Sequence, residues 1–369
     1  MKIEIMLYVY LFVCFAMIIF NIVTAILFRI NKQKTERVSR DLKVRVMLQL
    51  KAVEANISVS QNHKLYLNRK LKRVGNMIAF DKMLEAEYID HPYEIREYLR
   101  CLDSVFVSLM AHYSKKNRIE AAYFPYIIKK YRLIFNRSFP SIEGSLMQML
   151  NEPSIYCREN AMQALYTTGN SDCIIEAIKI IDCSDFFFHG KLLCDGLLNF
   201  SGKLSELSTK IIDSFFEFSN EMKVTLLDFL RFSSDEYKEF ALSLLKDETA
   251  NEEVRYACIR YLGKYRFWDA YNILCRLATE SSDKNWQYAA IACSALSSYP
   301  NDNTVKLLKQ NLYSRNWYVR LNSAISLKNL GITYSDLTDI IDGHDRFAAE
   351  VIRYCLQRDN EEERVVARA

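Results

Sequence analysis

Five histidines, His63, His91, His112, His189 and His344, and ten cysteines are the residues from which this chain could build a metal centre or a nucleophile. Metal-binding helices place two histidines four residues apart, and zinc sites pair cysteines at short spacing. No histidine here has such a partner, and no Cys-x-x-Cys occurs. Glycine-rich phosphate loops, His-Glu-x-x-His and a serine in a nucleophile-elbow setting are absent as well. Asp342-Gly343-His344-Asp345 groups an imidazole with two carboxylates, but its composition reads as a polar turn between helices. The sequence therefore assigns no catalytic, cofactor-binding or metal-ligating residue.

Recognition chemistry is better represented. Trp286 and Trp317 each follow an asparagine at the start of a helical segment, with Tyr256, Arg260 and Tyr318 nearby. Trp, Tyr and Arg dominate the energetics of protein interfaces, so these five residues form the candidate partner-binding set. A tryptophan repeated at a helix start can also pack between neighbouring units, and the sequence leaves both uses open.

A repeated pattern positions these residues. Six times between Cys157 and Leu327, a large or apolar residue is followed four places on by a small or apolar one, usually with leucine eight places on. The clear copies are Cys157-Arg158 with Ala161 and Leu165, Val254-Arg255 with Cys258 and Leu262, and Val319-Arg320 with Ser323 and Leu327. Weaker copies start at His189, Met222 and Tyr288, and successive starts are 32, 33, 32, 34 and 31 residues apart. Positions 0, 4 and 8 share one helix face. Gly169, Gly263 and Gly331 stand where C-terminal caps would fall. A second apolar segment follows, as in Cys173–Ile181, Ala270–Leu277, Thr304–Leu312 and Leu337–Ile341. Each unit reads as two antiparallel helices that bury their apolar faces only by stacking.

The Cys-Arg and Val-Arg pairs, the small residue after them and Leu262-Gly263 resemble the HEAT-repeat family, in particular the short HEAT-like repeats of phycobilin lyases. The resemblance runs from Ser141 to the C-terminus. It implies an all-α chain folded as an α-α superhelix. It also implies that Arg158, Arg255 and Arg320 bond to neighbouring units as a ladder, and that the tryptophan-bearing helices line the concave face. The low glycine and proline counts, 9 and 5, agree with a helical chain.

Ile5–Phe28 contains no charge and, as a helix, is long enough to cross a bilayer. It is longer than a signal-peptide core, its leader carries Lys2 and Glu4 and its trailing flank is basic, so it reads as a retained anchor. The basic flank from Arg29 to Arg45 places the following body in the cytoplasm and the N-terminus outside. Singly scattered cysteines suit that reducing compartment. Residues 29–75 hold 13 Lys/Arg against Glu36, Asp41 and Glu54, a net charge of +10 that leaves −6 on residues 76–369. The basic stretch can lie on anionic lipid headgroups, or it can be a solvated neck. Helices are expected over 35–56, 63–87, 93–113, 118–135 and 142–150, the intervening ones as degenerate repeats, and the charged tail from Arg358 is expected to fray. The expected segments are an anchor (1–30), a basic neck (31–62), a degenerate helical region (63–140) and a repeat array (141–369).

The expected function is that of a membrane-anchored interaction scaffold rather than an enzyme, with no cofactor or small-molecule substrate. The chain is similar to bacterial single-pass HEAT-repeat proteins, some of which stand beside membrane glycosyltransferases. The alternative is a HEAT-like enzyme of the chromophore-lyase type. DNA-glycosylase activity and nucleic-acid binding are disfavoured, because residues 76–369 are acidic and the basic stretch offers few aromatics for stacking.

Overall fold

The computed structural model describes residues 2–55, 57–116, 118–279 and 285–366, with the backbone alone at 2–4, 118 and 357–366. Twenty α-helices and no strand occur among the described residues. They fall into two compact units, Met1–Phe187 with Phe200–Gly202, and Phe188–Asn199 with Lys203–Ala369.

Unit 1 begins with α1 (Lys2–Glu54), a single helix of 53 residues. The apolar run and the basic helix expected to follow it form one continuous rod. No proline or glycine occurs before Gly75 to interrupt it. Leu42, Val46 and Leu50, spaced four apart on one face, are buried, and this half of the rod packs on α3 (Val74–Tyr88) and α4 (Pro92–Arg100). The unit continues with α2 (Gln61–Leu71), α5 (Asp103–Tyr113), α6 (Arg118–Tyr131), α7 (Pro140–Met149), α8 (Ile155–Tyr166) and α9 (Ser171–Asp182). Two rows result. Helices α1, α3, α6 and α8 pack in succession, as do α2, α5, α7 and α9, and pairs such as α2 with α3 and α5 with α6 join the rows.

Two helices expected to be single are broken. The 63–87 segment folds back at Lys72–Arg73, so that Leu67 and Leu71 of α2 and Met77 and Phe80 of α3 are all buried. The carbonyls left open at the end of α2 are satisfied from a distance. Asn76 Nδ2 donates to the Lys70 carbonyl (2.8 Å) and the Tyr113 hydroxyl to that of Leu71 (2.7 Å). The 93–113 segment breaks at Cys101–Leu102, where the turn buries Leu102 completely.

Unit 2 comprises α10 (Gly190–Leu198), α11 (Leu204–Asp213), α12 (Asn220–Ser233), α13 (Lys238–Lys246), α14 (Glu252–Lys264), α15 (Tyr271–Thr279), α16 (Trp286–Leu296), α17 (Asp302–Asn311), α18 (Trp317–Asn329), α19 (Thr338–Ile341) and α20 (Arg346–Val366). The even-numbered helices pack each on the next from α10 to α20, with the odd-numbered ones paired against them. This alternation is that of an α-solenoid. The six sequence copies fall on α8, α10, α12, α14, α16 and α18. One frame needs correction. His189 is the exposed N-cap of α10, its Nδ1 accepting from the Lys191 N–H (3.2 Å), so it holds no core position. Counted from the caps, Leu193 stands where the arginine stands elsewhere, and Gly196 takes the small-residue place. The tail expected to fray is helical to Val366.

Two of the three expected glycine caps hold. Gly169 (φ 75°) and Gly331 (φ 81°) adopt the left-handed conformation. After α18 the Ile332 N–H reaches the Leu327 carbonyl and the Gly331 N–H that of Lys328, a complete Schellman closure. Gly263 instead lies inside α14. A Cβ there would come within 2.8 Å of the Ala295 Cβ on α16, so its role is close helix approach.

Three polar rungs tie successive helix pairs. Arg158 donates to the carbonyls of Glu152 (2.7 Å) and Pro153 (2.9 Å) before its own helix and to Phe187 (3.0 Å) after the pair. Arg255 reaches Leu245 behind it and the Tyr288 hydroxyl ahead (3.1 Å). Arg320 bonds to Ser314 (2.6 Å) and lies 5.4 Å from the Phe347 ring of α20. This is the ladder that the resemblance implied. A second rung was not anticipated. The Tyr261 hydroxyl donates to Ser234 and accepts from the Tyr237 N–H, and Tyr299 does the same with Leu262 and Phe267 one unit later. In the third, Asn160 and Asn322 donate to the Ala122 and Ala290 carbonyls of the preceding helix in their row.

Candidate functional site

Helix α2 places Asn62, Leu65, Tyr66 and Arg69 along one stripe, since residues three and four apart share a face, and Arg73 follows in the turn before α3. That stripe meets Lys34 and Val38 of α1, with Lys70 and Asn76 completing a cleft of about 610 Å³. Its four cations, Lys34, Arg69, Lys70 and Arg73, face no acidic lining residue. Other basic residues of the same stretch are used internally. Lys43 pairs with Glu87, and the Arg45 guanidinium lies 4.4 Å over the Tyr66 ring. The +10 segment is thus neither a uniform basic brush nor a free neck. Part of it holds unit 1 together, and part lines a cleft suited to anions.

The proposed partner-binding residues separate into two kinds. Tyr256 is only 5 % exposed and makes a T-shaped contact with Tyr288 at 4.6 Å, so it packs α14 against α16 and offers no surface anchor. Burial pushes its hydroxyl up to about 12. Trp286 is half-buried and stacks on Tyr318 of the next unit (5.3 Å, 18°). Arg260 is half-buried on α14. Trp317 and Tyr318 are 45 % and 55 % exposed. The structure adds Phe347, exposed on α20, which with Trp317 flanks the Arg320 guanidinium at 5.4 and 6.0 Å. Sequence reasoning missed Phe347 because it lies beyond the last complete copy. The aromatics of the apolar-periodic α20, Phe347 and Tyr354, were the available signal.

Elsewhere, groups that could do chemistry are neutralised or open. His63 is buried, with Nε2 2.7 Å from the Tyr98 hydroxyl, and burial together with the Arg45 charge lowers it to about 4. Burial raises the Cys258 thiol to about 12 and the Cys293 thiol to about 11, far from nucleophilic thiolates. Glu54, His91 and Glu94 bring their ligand atoms within 4.8 Å of one another at the end of α1. This grouping is hidden in the sequence because its members are distant or on opposite sides of a helix start. It is partly exposed and supplies three donors, short of a closed site.

Residues 239–328 match the family model for HEAT repeats, a stretch running through α13 to α18. A comparison with curated proteins finds no match. HEAT repeats form helical arrays that commonly present an extended surface for protein interaction.

Proposed function

We propose that the chain is a membrane-anchored helical-repeat scaffold, without catalytic activity, that holds a membrane-resident protein partner on unit 2. The observation that carries this reading is the two-sided character of α1. From Ile5 to Ile30 its large apolar side chains are exposed, while Leu42, Val46 and Leu50 on the same unbroken rod are buried in unit 1. The apolar half is long enough to cross a membrane, and none of it is covered within the protein. So long an apolar helix, exposed all round, matches hydrocarbon as its solvent. Its continuity with packed structure supports retention of the segment rather than cleavage.

The cationic cleft supports contact with anionic headgroups. Lys34 follows Phe28 by six residues, about 9 Å along the rod, which is interfacial depth. Each cation near such a surface contributes about 1 kcal/mol. The basic flank orients the body to the cytoplasmic side. The Trp317–Arg320–Phe347 surface, with Tyr318 beside it, has hot-spot composition and is the partner-binding face. A glycosyltransferase of the envelope is one partner the family resemblance suggests.

The anchor is tested by alkaline carbonate extraction of membranes carrying the full chain. Retention in the pellet is expected, and release into the supernatant would remove the anchor. Protease added outside intact cells should leave the body uncut, whereas digestion of unit 2 would invert the orientation. A photo-crosslinker placed at Trp317 or Phe347 in native membranes should capture a membrane protein. Equal capture from exposed Phe216 would reject this face.

A further inference from the structure

We propose that unit 1 contains a binding site for a small organic phosphate, separate from the headgroup cleft and independent of the membrane reading. The cavity, about 450 Å³, lies between α3, α4, α6 and the segment after α6. That volume suits a small molecule and excludes a polymer. Residues 76–369 are net acidic, −6, yet five cations face this one space. Three have carboxylates: Arg100 pairs with Glu97, Lys130 with Asp81 and Glu85, and Arg137 with Asp103.

The other two do not. Arg96 donates to the Tyr88 hydroxyl (3.2 Å) and Arg132 to the Ser201 hydroxyl (2.8 Å). Neither forms an ion pair among the described residues. Two guanidiniums outside any ion pair at one cavity suit a dianion, and the planar fork of arginine fits phosphate oxygens two at a time. A phosphomonoester carries nearly two charges near neutral pH. The rest of the lining holds one carboxylate, Glu85, which pairs with Lys130, and an apolar part made by Ile89, the buried Leu99 and Leu133, and Phe135 beside the Arg132 guanidinium at 4.3 Å. It therefore suits a ligand with a flat or apolar body as well as a phosphate.

The segment that closes the cavity is conformationally unusual. Arg132 (φ 50°) and Asn136 (φ 52°) are the two non-glycine residues with positive φ among the described residues. Asparagine adopts left-handed backbone readily, so the strain rests on Arg132, and such strain concentrates where a loop is held for binding. The strained turn also aims Arg132 into the cavity.

A lipid headgroup is a poor occupant. The Lys43–Glu87 pair sets the end of α3 level with Lys43 on α1, which is fifteen residues past Phe28 and roughly 22 Å along the rod. The headgroup cleft lies nearer the apolar half, beside Lys34.

The test uses the full chain in uncharged detergent, titrated calorimetrically with phenyl phosphate and adenosine monophosphate. Inorganic phosphate, phenol and vesicles of phosphatidylglycerol serve as comparisons. At least one organic phosphate should bind at least tenfold more tightly than inorganic phosphate, and phenol should not bind. Arg96→Gln and Arg132→Gln should each weaken binding at least tenfold while leaving the helical circular dichroism and melting unchanged, since both side chains are exposed. Arg69→Gln, in the other cleft, should weaken vesicle binding and leave phosphate-ester binding intact. Failure of both organic phosphates at 10 mM would overturn the proposal. So would equal affinity for inorganic phosphate, insensitivity to both arginine variants, or competition by phosphatidylglycerol vesicles for the same arginines.

Discussion

In unit 2 a tyrosine hydroxyl bonds the turn of the preceding helix pair in two successive pairs, though from positions one helical turn apart, whereas in unit 1 most buried polar groups are solved once. Tyr261 and Tyr299 bond alike, one unit apart, to the turn of the preceding pair. Asp81 in unit 1 has no counterpart among the described residues. Its buried carboxylate accepts from the Tyr123 hydroxyl (2.9 Å), the Tyr131 hydroxyl (2.8 Å) and the Lys130 ammonium (2.8 Å). His63 with Tyr98 is likewise unique. A repeated contact distributes stability over many equivalent junctions. A unique buried network concentrates it on one residue whose loss leaves several partners unsatisfied. Unit 1 also carries the two cation-lined clefts described above.

The largest test of this contrast is Asp81→Ala. It removes the nearer of the two carboxylates of the Lys130 ammonium and strands two hydroxyls, and breaking such a network costs about 3–5 kcal/mol. The three tryptophans, Trp268, Trp286 and Trp317, all lie in unit 2. Urea unfolding followed by circular dichroism should therefore show an early transition that tryptophan fluorescence misses. Coincident shifts by both probes would show that the units do not lose structure separately.

Next comes acid. The folded-state value of His63 is about 4, below the 6.5 of an unfolded histidine. Between those values the unfolded chain binds the extra proton, so unit 1 loses stability as pH falls from 6.5 to 4 and no further below that. Two and a half units correspond to roughly 3 kcal/mol. His63→Gln should flatten the circular-dichroism stability profile across that window while unit 2 fluorescence stays level. A profile unchanged by the substitution would assign the acid sensitivity elsewhere.

A smaller effect is expected from Gly263→Ala, which forces α14 from α16 by inserting a methyl 2.8 Å from the Ala295 Cβ. Overpacking of this kind costs about 1–3 kcal/mol, here read by tryptophan fluorescence. Smallest is Trp317→Ala. With a side chain 45 % exposed, it should move unfolding by only about 0.5 kcal/mol while reducing crosslinking to the partner. A large stability loss would make Trp317 a packing residue like Trp286.

The array was readable in advance because a fixed period reports stacking directly. Cys157, Cys258 and Ser323 are buried at the positions their spacing assigned, and the three arginines make the ladder that the resemblance implied. His189 misled because Leu193 and Leu197 mimic the frame, while only the cap geometry reveals the shift. Gly263 misled because a glycine after leucine looks the same whether it ends a helix or admits a neighbour. The breaks at Lys72–Arg73 and Cys101–Leu102 were invisible because their caps, Asn76 and Tyr113 among them, act after the chain has folded back. The candidate sites were less legible still. Net charge located the basic stretch, but which cations meet acids depends on partners far away in sequence, as with Lys43 and Glu87. Tyr256 and Trp317 share a residue class and differ only in burial.

The unbroken course of α1 has a mechanical consequence. A helix without a hinge between its apolar end and its packed end behaves as a rigid mast of about 80 Å at 1.5 Å per residue. If the upper part stands in a bilayer, as proposed, a change of tilt there cannot be absorbed locally. It swings α3 and α4 bodily, and membrane thickness becomes a lever on the helices that carry Arg96 and Tyr88.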